Sequence, residues 1–278
     1  MGQISLWVRA KEDEDRERRA LIPCPQIDSS WRFTLFEARC TSSLVTSFAM
    51  SLIVHHLGLS QSERVVWACE ELQIPYQLKT YARSPLFAPR EYKALHPLES
   101  SPVIEDANGF KLAESGACVE YICQTYGEGN LIIKPGDKGY SDYLYWFHFA
   151  NGTFTPNLVH NMLLESMGRT TDNELSERFA SRSRQILKFV DWRLSSVPYL
   201  AGEEFTAADI MNICNLTGLR CFAPYSLAGY PNILAYLARI GRREGYRRAM
   251  EKGDPDLDIK QLMGAAPPPK QKALPAKL

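Results

Sequence analysis

Neither sign of charge dominates this sequence: 32 lysines and arginines stand against 32 aspartates and glutamates, for a formal net charge of zero at pH 7. Phosphate backbones and anionic membrane surfaces recruit proteins through an excess of basic side chains, so neither is expected as the main partner. A secretory leader is lacking, because the apolar start runs at once into Lys11-Glu12-Asp13-Glu14-Asp15-Arg16. Met1-Gly2 suits a myristoylation start, but Leu6 stands where that signal needs serine or threonine. No membrane span is expected either: Thr41 to Leu59 has no acidic or basic residue, yet it contains His55, His56 and several hydroxyls. The seven cysteines are odd in number and none form C-x-x-C. That pattern disfavours a disulfide framework or a zinc site and leaves no metal expected. It suits a reducing, cytoplasmic setting in which most thiols are small core residues.

What is present is a patterned chain of 278 residues with 45% apolar and 23% charged content, ordinary for a globular protein of one large or two small domains. Residues 1–49 show no periodicity and are expected to be a disordered extension, or an upstream segment absent from the natural product. Leu52–Leu57 reads as a strand. Ser60-Gln61-Ser62-Glu63 then fits a capping box, and Val65, Val66, Cys69 and Leu72 recur at helical spacing. Tyr76–Tyr81 closes a β-α-β unit, which implies parallel strands and a right-handed crossover. Val103–Asp106 and Phe110–Ala113 flank Asn108-Gly109, a hairpin signal, and a helix runs from Glu114-Ser115 to about Tyr126. This β-α-β, β-β-α order predicts an α/β thioredoxin-like domain over residues 50–128.

An all-α helical domain is expected over 137–252. Pro156 divides the aromatic-rich stretch Tyr140–Leu164. Capping boxes start at Thr171 and Thr206, the first opening a long helix with Ile186, Phe189, Val190 and Trp192, and Pro231 sits in the first turn of a further helix. The five arginines between Arg239 and Arg248 read as a solvated helix face. Residues 253–278, rich in Pro, Ala and Lys, are expected to be a disordered tail. They end in Ala276-Lys277-Leu278, one residue away from a peroxisomal address.

Three places carry candidate chemistry. Ser101-Pro102-Val103 is where a cis proline turns the chain ahead of a strand and leaves the Val103 backbone to pair with an extended peptide. Glu114-Ser115 begins a helix, where backbone N–H groups and a hydroxyl suit a carboxylate and Glu114 an ammonium; an ordinary helix cap uses the same residues. Ser60 opens the first helix, where a hydroxyl and the helix dipole stabilise a thiolate, unless it only caps that helix. Ser62 and His56 are weaker candidates for the same role. In a thioredoxin-like sheet these places share one side, and together they suit a γ-glutamyl tripeptide with a reactive thiol.

Val54-His55-His56-Leu57, Ser60-Gln61-Ser62-Glu63-Arg64-Val65-Val66-Trp67, His96-Pro97-Leu98, Ser101-Pro102-Val103-Ile104-Glu105 and Leu112-Ala113-Glu114-Ser115-Gly116-Ala117 resemble segments of yeast-type fungal and bacterial glutathione transferases. Tyr199-Leu200-Ala201-Gly202 and Phe205-Thr206-Ala207-Ala208-Asp209-Ile210 resemble that family's second domain. The resemblance spans residues 50–250 and implies glutathione as cosubstrate and a homodimer. It also implies glutathione contacts at Pro102, the Val103 backbone, Glu114 and Ser115, with Ser60 at the sulfur. Tyr145, Phe149, Asn151 and Phe154 would line a pocket for an apolar electrophile; plain core packing accounts for them equally. Glu99-Ser100 departs from the family's Gly followed by Lys or Arg. Three functions compete: conjugation for detoxification or secondary-metabolite biosynthesis, glutathione-dependent isomerisation of a conjugated double bond in a fungal secondary metabolite, and a noncatalytic regulatory or assembly role.

Overall fold

β-Branched Ile53 and Val54 start the first strand, β1 (Ile53–Leu57), which becomes an inner strand of a four-stranded sheet. The computed structural model describes residues 52–84, 87–107, 109–168 and 174–270. The expectations for residues 1–49, for Asn108, for the box starting at Thr171 and for Ala276-Lys277-Leu278 therefore lie outside the described residues. Helix α1 (Glu63–Leu72) carries the chain to β2 (Gln77–Tyr81), parallel to β1. After the short helix α2 (Arg90–Lys93), β3 (Val103–Glu105) lies antiparallel to β1 and β4 (Lys111–Ala113) antiparallel to β3, in the order β2-β1-β3-β4. Helix α3 (Ser115–Thr125) then packs beside α1.

The second half is helical: α4 (Tyr140–Phe149), α5 (Thr155–Ser166), α6 (Glu174–Leu194), α7 (Ala207–Leu216), α8 (Pro231–Ile240), α9 (Glu244–Gly253) and α10 (Ile259–Leu262). A π-helical turn, Ala150–Phe154, joins α4 to α5 just ahead of Pro156. A proline in the first turn of a helix removes no intrahelical bond, so Pro156 starts α5 rather than breaking it. Every residue of α7 is buried, which makes it the central helix of this half. Its capping box forms as expected, with Thr206 and Asp209 bonding reciprocally.

Three local expectations change. The Ser60–Glu63 capping box does not form: α1 starts at Glu63 after Ser62, which makes no side-chain cap bond. Burial, with the nearby Asp254 charge adding, instead raises the Glu63 carboxyl to about 8 against the pull of Arg64. In α6 the buried stripe is Ile186, Leu187, Val190 and Leu194, with Phe189 and Trp192 exposed beside it. The arginines near α9 are not simply solvated. Arg243 Nε bonds Glu71 Oε1 at 3.0 Å and its guanidinium stacks 3.8 Å over Phe205, while Arg248 Nε meets Glu70 Oε2 at 3.0 Å. These pairs join α9 to α1, where Trp67 packs edge-on to Tyr246 at 4.9 Å.

Residues 253–270 form no free tail. Arg220, fully buried, donates to the carbonyls of Leu262, Gly264 and Ala266 at 3.2, 3.0 and 2.7 Å, and Leu227 N–H bonds Ala265 O at 2.8 Å. The buried guanidinium captures main-chain carbonyls of the segment, and Leu262 packs in the core with Leu257, Ile259 and Met263 against it.

Candidate functional site

The loop between β1 and α1 is built from hydroxyls. Ser60 Oγ lies 2.7 Å from Ser62 Oγ and 2.9 Å from Ser101 Oγ, and it accepts the Ser62 N–H at 3.2 Å. Ser60 is half-buried and therefore reachable. Ser62, wholly buried, lies 2.9 Å from His56 Nδ1. The two histidines point to opposite sides of the strand, as alternation requires. His55 Nδ1 meets the Tyr81 hydroxyl at 2.9 Å on the other side.

The contact with Ser101 brings in the second candidate element. The Ser101-Pro102 peptide bond is cis, and Pro102 is buried. The Val103 expectation needs correction. Val103 is fully buried in β3, registered with His55 of β1 on one side and Ala113 of β4 on the other. A strand flanked on both sides has no free edge to offer a peptide. Ser101, half-buried ahead of the strand and in contact with Ser60, is the residue left in that position.

The third element meets α1 through side chains. Ser115 is buried and donates to Gln61 Oε1 at 3.0 Å, while its oxygen accepts from Asn151 Nδ2 at 3.0 Å. Arg64 Nη1 stands 2.6 Å from Gln61 Oε1, 2.8 Å from Ser115 Oγ and 2.7 Å from Asn151 Oδ1. A buried guanidinium thus backs the first turn of α3, where the helix N-terminus already favours an anion. Glu114, exposed just ahead of it, has φ +72° and ψ +117°. Left-handed φ on a glutamate is uncommon, and such strain concentrates at functional sites.

The comparisons with known proteins agree with this frame. The family model for the glutathione S-transferase N-terminal domain matches residues 60–125, and that for the C-terminal domain matches 157–244. Glutathione S-transferase 3 of Schizosaccharomyces pombe is 30% identical over 223 residues, 72% of this chain and 87% of its own. The chain belongs to the glutathione S-transferase family. Glutathione S-transferase 1 of Saccharomyces cerevisiae is 28% identical over 222 residues, 72% of this chain and 94% of its own. A glutathione S-transferase structure from Actinobacillus pleuropneumoniae superposes with TM-score 0.67 at 30% identity, over 76% of this chain and 96% of that one. A Phanerochaete chrysosporium glutathione transferase in complex with oxidized glutathione shares the fold, with TM-score 0.62 at 17% identity over 74% of this chain and 98% of that one.

Within this glutathione S-transferase frame, the residues expected to line an acceptor pocket divide between core, cluster and surface, although the Phe149 ring touches both Tyr145 and, at 6.1 Å, Phe154. Phe154 is core, and Asn151 joins the Arg64–Ser115 cluster. Tyr145 and Phe149 stack at 5.7 Å beside a 320 Å³ cleft between α4 and α6 that also includes Phe189. Sequence reading singled out Ser101 only as part of the Pro102 turn and gave no role to Gln61 or Arg64. Arg64 carried one signal, a cation in an otherwise apolar helix stripe, but only the fold shows that it is buried against α3. Among the described residues there is no cluster suited to a metal ion, and no helix is long and apolar enough to cross a membrane.

Proposed function

We propose that this chain transfers glutathione to an apolar electrophile, by attack of a glutathione thiolate held at the start of α1. The observation that supports this most is the convergence of three loops through direct bonds, Ser60 to Ser101 and Gln61 to Ser115. In this reading Ser60 donates to the sulfur, and the α1 dipole lowers the thiol pKa. The peptide backbone pairs at Ser101 beside Pro102. The γ-glutamyl carboxylate takes the Ser115 hydroxyl and the α3 N-terminus, with Arg64 supplying positive charge behind them and the Gln61 amide giving way. Glu114 receives the α-ammonium.

The acceptor is proposed to sit against Leu59 and Phe222. Arg83 holds that surface in place: it donates to the carbonyls of Gly58 and Leu59 at 2.8 and 2.7 Å and lies 5.1 Å from the Phe222 ring centre. Holding thiolate and electrophile side by side supplies the entropy a bimolecular attack otherwise costs.

Calorimetric titration with glutathione tests the reading. Wild type is expected to bind at one saturable site. Ser115→Ala and Glu114→Ala are each expected to weaken binding about tenfold, the scale of one charge-assisted hydrogen bond. No binding by wild type at millimolar glutathione would sink the proposal. Chromatography of the products from an electrophile and from a polyene then reports whether glutathione stays attached.

A homodimer is part of the proposal. Tyr145 and Trp192 are 51% and 66% exposed, and Phe189 stacks on Trp192 at 5.7 Å, which leaves an aromatic patch across α4 and α6. Clustered exposed aromatics mark an interaction surface, and a second copy of this chain is the proposed occupant. Light scattering is expected to give a dimer for wild type and a monomer for Trp192→Glu; a wild-type monomer at micromolar concentration contradicts the assignment.

A further inference from the structure

We propose that Ser62, His56 and Asp254 form a relay behind Ser60 that takes up the thiol proton of bound glutathione. The proposal rests on the glutathione reading above. It begins with an unbroken line of polar atoms: Ser60 Oγ to Ser62 Oγ at 2.7 Å, Ser62 Oγ to His56 Nδ1 at 2.9 Å, and His56 Nε2 to Asp254 Oδ2 at 3.2 Å. The last is an ion-pair contact without hydrogen-bond alignment, and Nε2 has no hydrogen-bond partner. His56 is 1% exposed and the Asp254 side chain 8%. A buried imidazole with one nitrogen on a hydroxyl and the other facing a carboxylate has the layout of a base with an orienting anion behind it.

Asp254 is held for this position. Its Oδ1 accepts the Leu59 N–H at 2.9 Å, so the carboxylate grips the Ser60 loop while facing His56. Gly253 lets the chain pass over the ring: a Cβ there would stand 3.1 Å from His56 Nε2. The other ionisable groups facing this pair are Glu63 of α1, Cys214 of α7, Cys221 after it, Tyr246 of α9, whose burial holds its phenol protonated, and Arg83 after β2. Burial raises Glu63 to about 8 and both thiols above their ordinary range, so at neutral pH these three are uncharged. Arg83 remains a cation and is bound to the Gly58 and Leu59 carbonyls. Asp254 is thus the one anion against His56 among the described residues.

Donor and acceptor counting gives the direction. With His56 neutral, the carboxylate favours the proton on Nε2, and the Ser62 hydroxyl has two acceptors, Nδ1 at 2.9 Å and the Leu57 carbonyl at 3.2 Å, of which the nearer Nδ1 is the one the relay uses. When the thiol ionises, its S–H bond breaks and the proton passes to Ser60 Oγ. The Ser60 proton passes to Ser62 Oγ, and the Ser62 proton to Nδ1, forming the new N–H bond. The result is a thiolate and an imidazolium, the latter paired with Asp254. Every hydrogen bond now points outward, from Nδ1 to Ser62, from Ser62 to Ser60, and from Ser60 to the sulfur. After the S–C bond forms, the imidazolium releases its proton to solvent. The acceptor's carbanion takes one from solvent, or its anionic leaving group departs. Ser62, His56 and Asp254 act through Ser60 and are positioning residues.

The test measures the ionisation of bound glutathione by its ultraviolet thiolate absorbance across pH, and kcat/KM for an activated aryl halide across the same range. Wild type, His56→Gln, Ser62→Ala and Asp254→Asn are compared, with circular dichroism checking their fold. Each variant is expected to keep wild-type glutathione affinity and to bind a less acidic thiol. A tenfold loss of thiol acidity lowers kcat/KM about tenfold wherever the thiol is mostly protonated in both proteins, with activity recovering at high pH. Should His56→Gln fail to fold, the other two variants carry the same readout. Intact glutathione binding with pH profiles that superimpose on wild type overturns the relay alone. No glutathione binding by wild type overturns the transferase reading as well.

Discussion

Replacing Arg64 with methionine is expected to remove measurable glutathione binding and to lower the unfolding free energy by about 3 kcal/mol, the scale of a lost charged donor that leaves buried acceptors unpaired. Arg64 is 1% exposed, yet it faces Gln61, Ser115 and Asn151 through one nitrogen and Thr155 at 3.4 Å through another. Methionine fills similar volume but removes the donor to Asn151 Oδ1 and Thr155 Oγ1, while Gln61 Oε1 keeps the Ser115 hydroxyl and Ser115 Oγ keeps the Asn151 amide. Binding falls for a separate reason: without the guanidinium, the α3 N-terminus and the Ser115 hydroxyl are left to hold a carboxylate alone. Arg64→Lys separates the two effects. An ammonium keeps the charge but not the planar fork, so stability is expected to recover in part and affinity only weakly. Urea unfolding and glutathione calorimetry on the three proteins decide it. A methionine variant with wild-type midpoint and affinity would show that the cluster is ornamental.

Asp209→Ala is expected to destabilise the helical half by roughly 4 kcal/mol, without direct effect on the residues proposed to hold glutathione. The Asp209 carboxylate is wholly buried and accepts from Leu200 N–H at 2.9 Å, Thr206 N–H at 2.9 Å and Tyr236 Oη–H at 2.8 Å. Alanine strands all three donors and removes half of the capping box that starts α7. Asp209→Asn keeps one carbonyl oxygen in place and is expected to lose about half as much. The urea midpoint, at unchanged slope, gives the comparison. An alanine variant within about 1 kcal/mol of wild type contradicts the account.

Where the sequence reading held, the signals were short-range. Ile53–Leu57, the helix after it and the β3–β4 pair follow from β-branched runs, 3.6-residue spacing and a turn, all of which act within a few residues. The box at Thr206 formed because both of its partners lie in one helical turn. The similar box at Ser60 did not. Its serine found hydroxyls on Ser62 and Ser101, the latter 41 positions away, and no local pattern reports a competing partner at that distance. Residues 253–270 depart from the expectation for a related reason: overall composition hid Leu257, Ile259, Leu262 and Met263, which pack on the core, and gave no sign of the buried Arg220 that binds the carbonyls beside them. Val103 is paired on both sides, with β1 and β4. Which residue beside a cis proline is free depends on the neighbouring strands, and those are set by sheet order.

The sequence by itself determined the thioredoxin-like order of elements, the helical second half, the family, and Ser60, Pro102, Glu114 and Ser115 as residues to examine. These follow from periodicity, from local chemistry and from motifs whose order survives without coordinates. Tertiary structure alone decided that Arg64 backs Ser115, that Asn151 joins that cluster while Tyr145 faces outward, and that Asp254 closes on His56 from 198 positions along the chain. Each of these depends on which side chains become buried together. Burial is a property of packed elements, because water leaves a polar group only when a partner from another part of the chain takes its place.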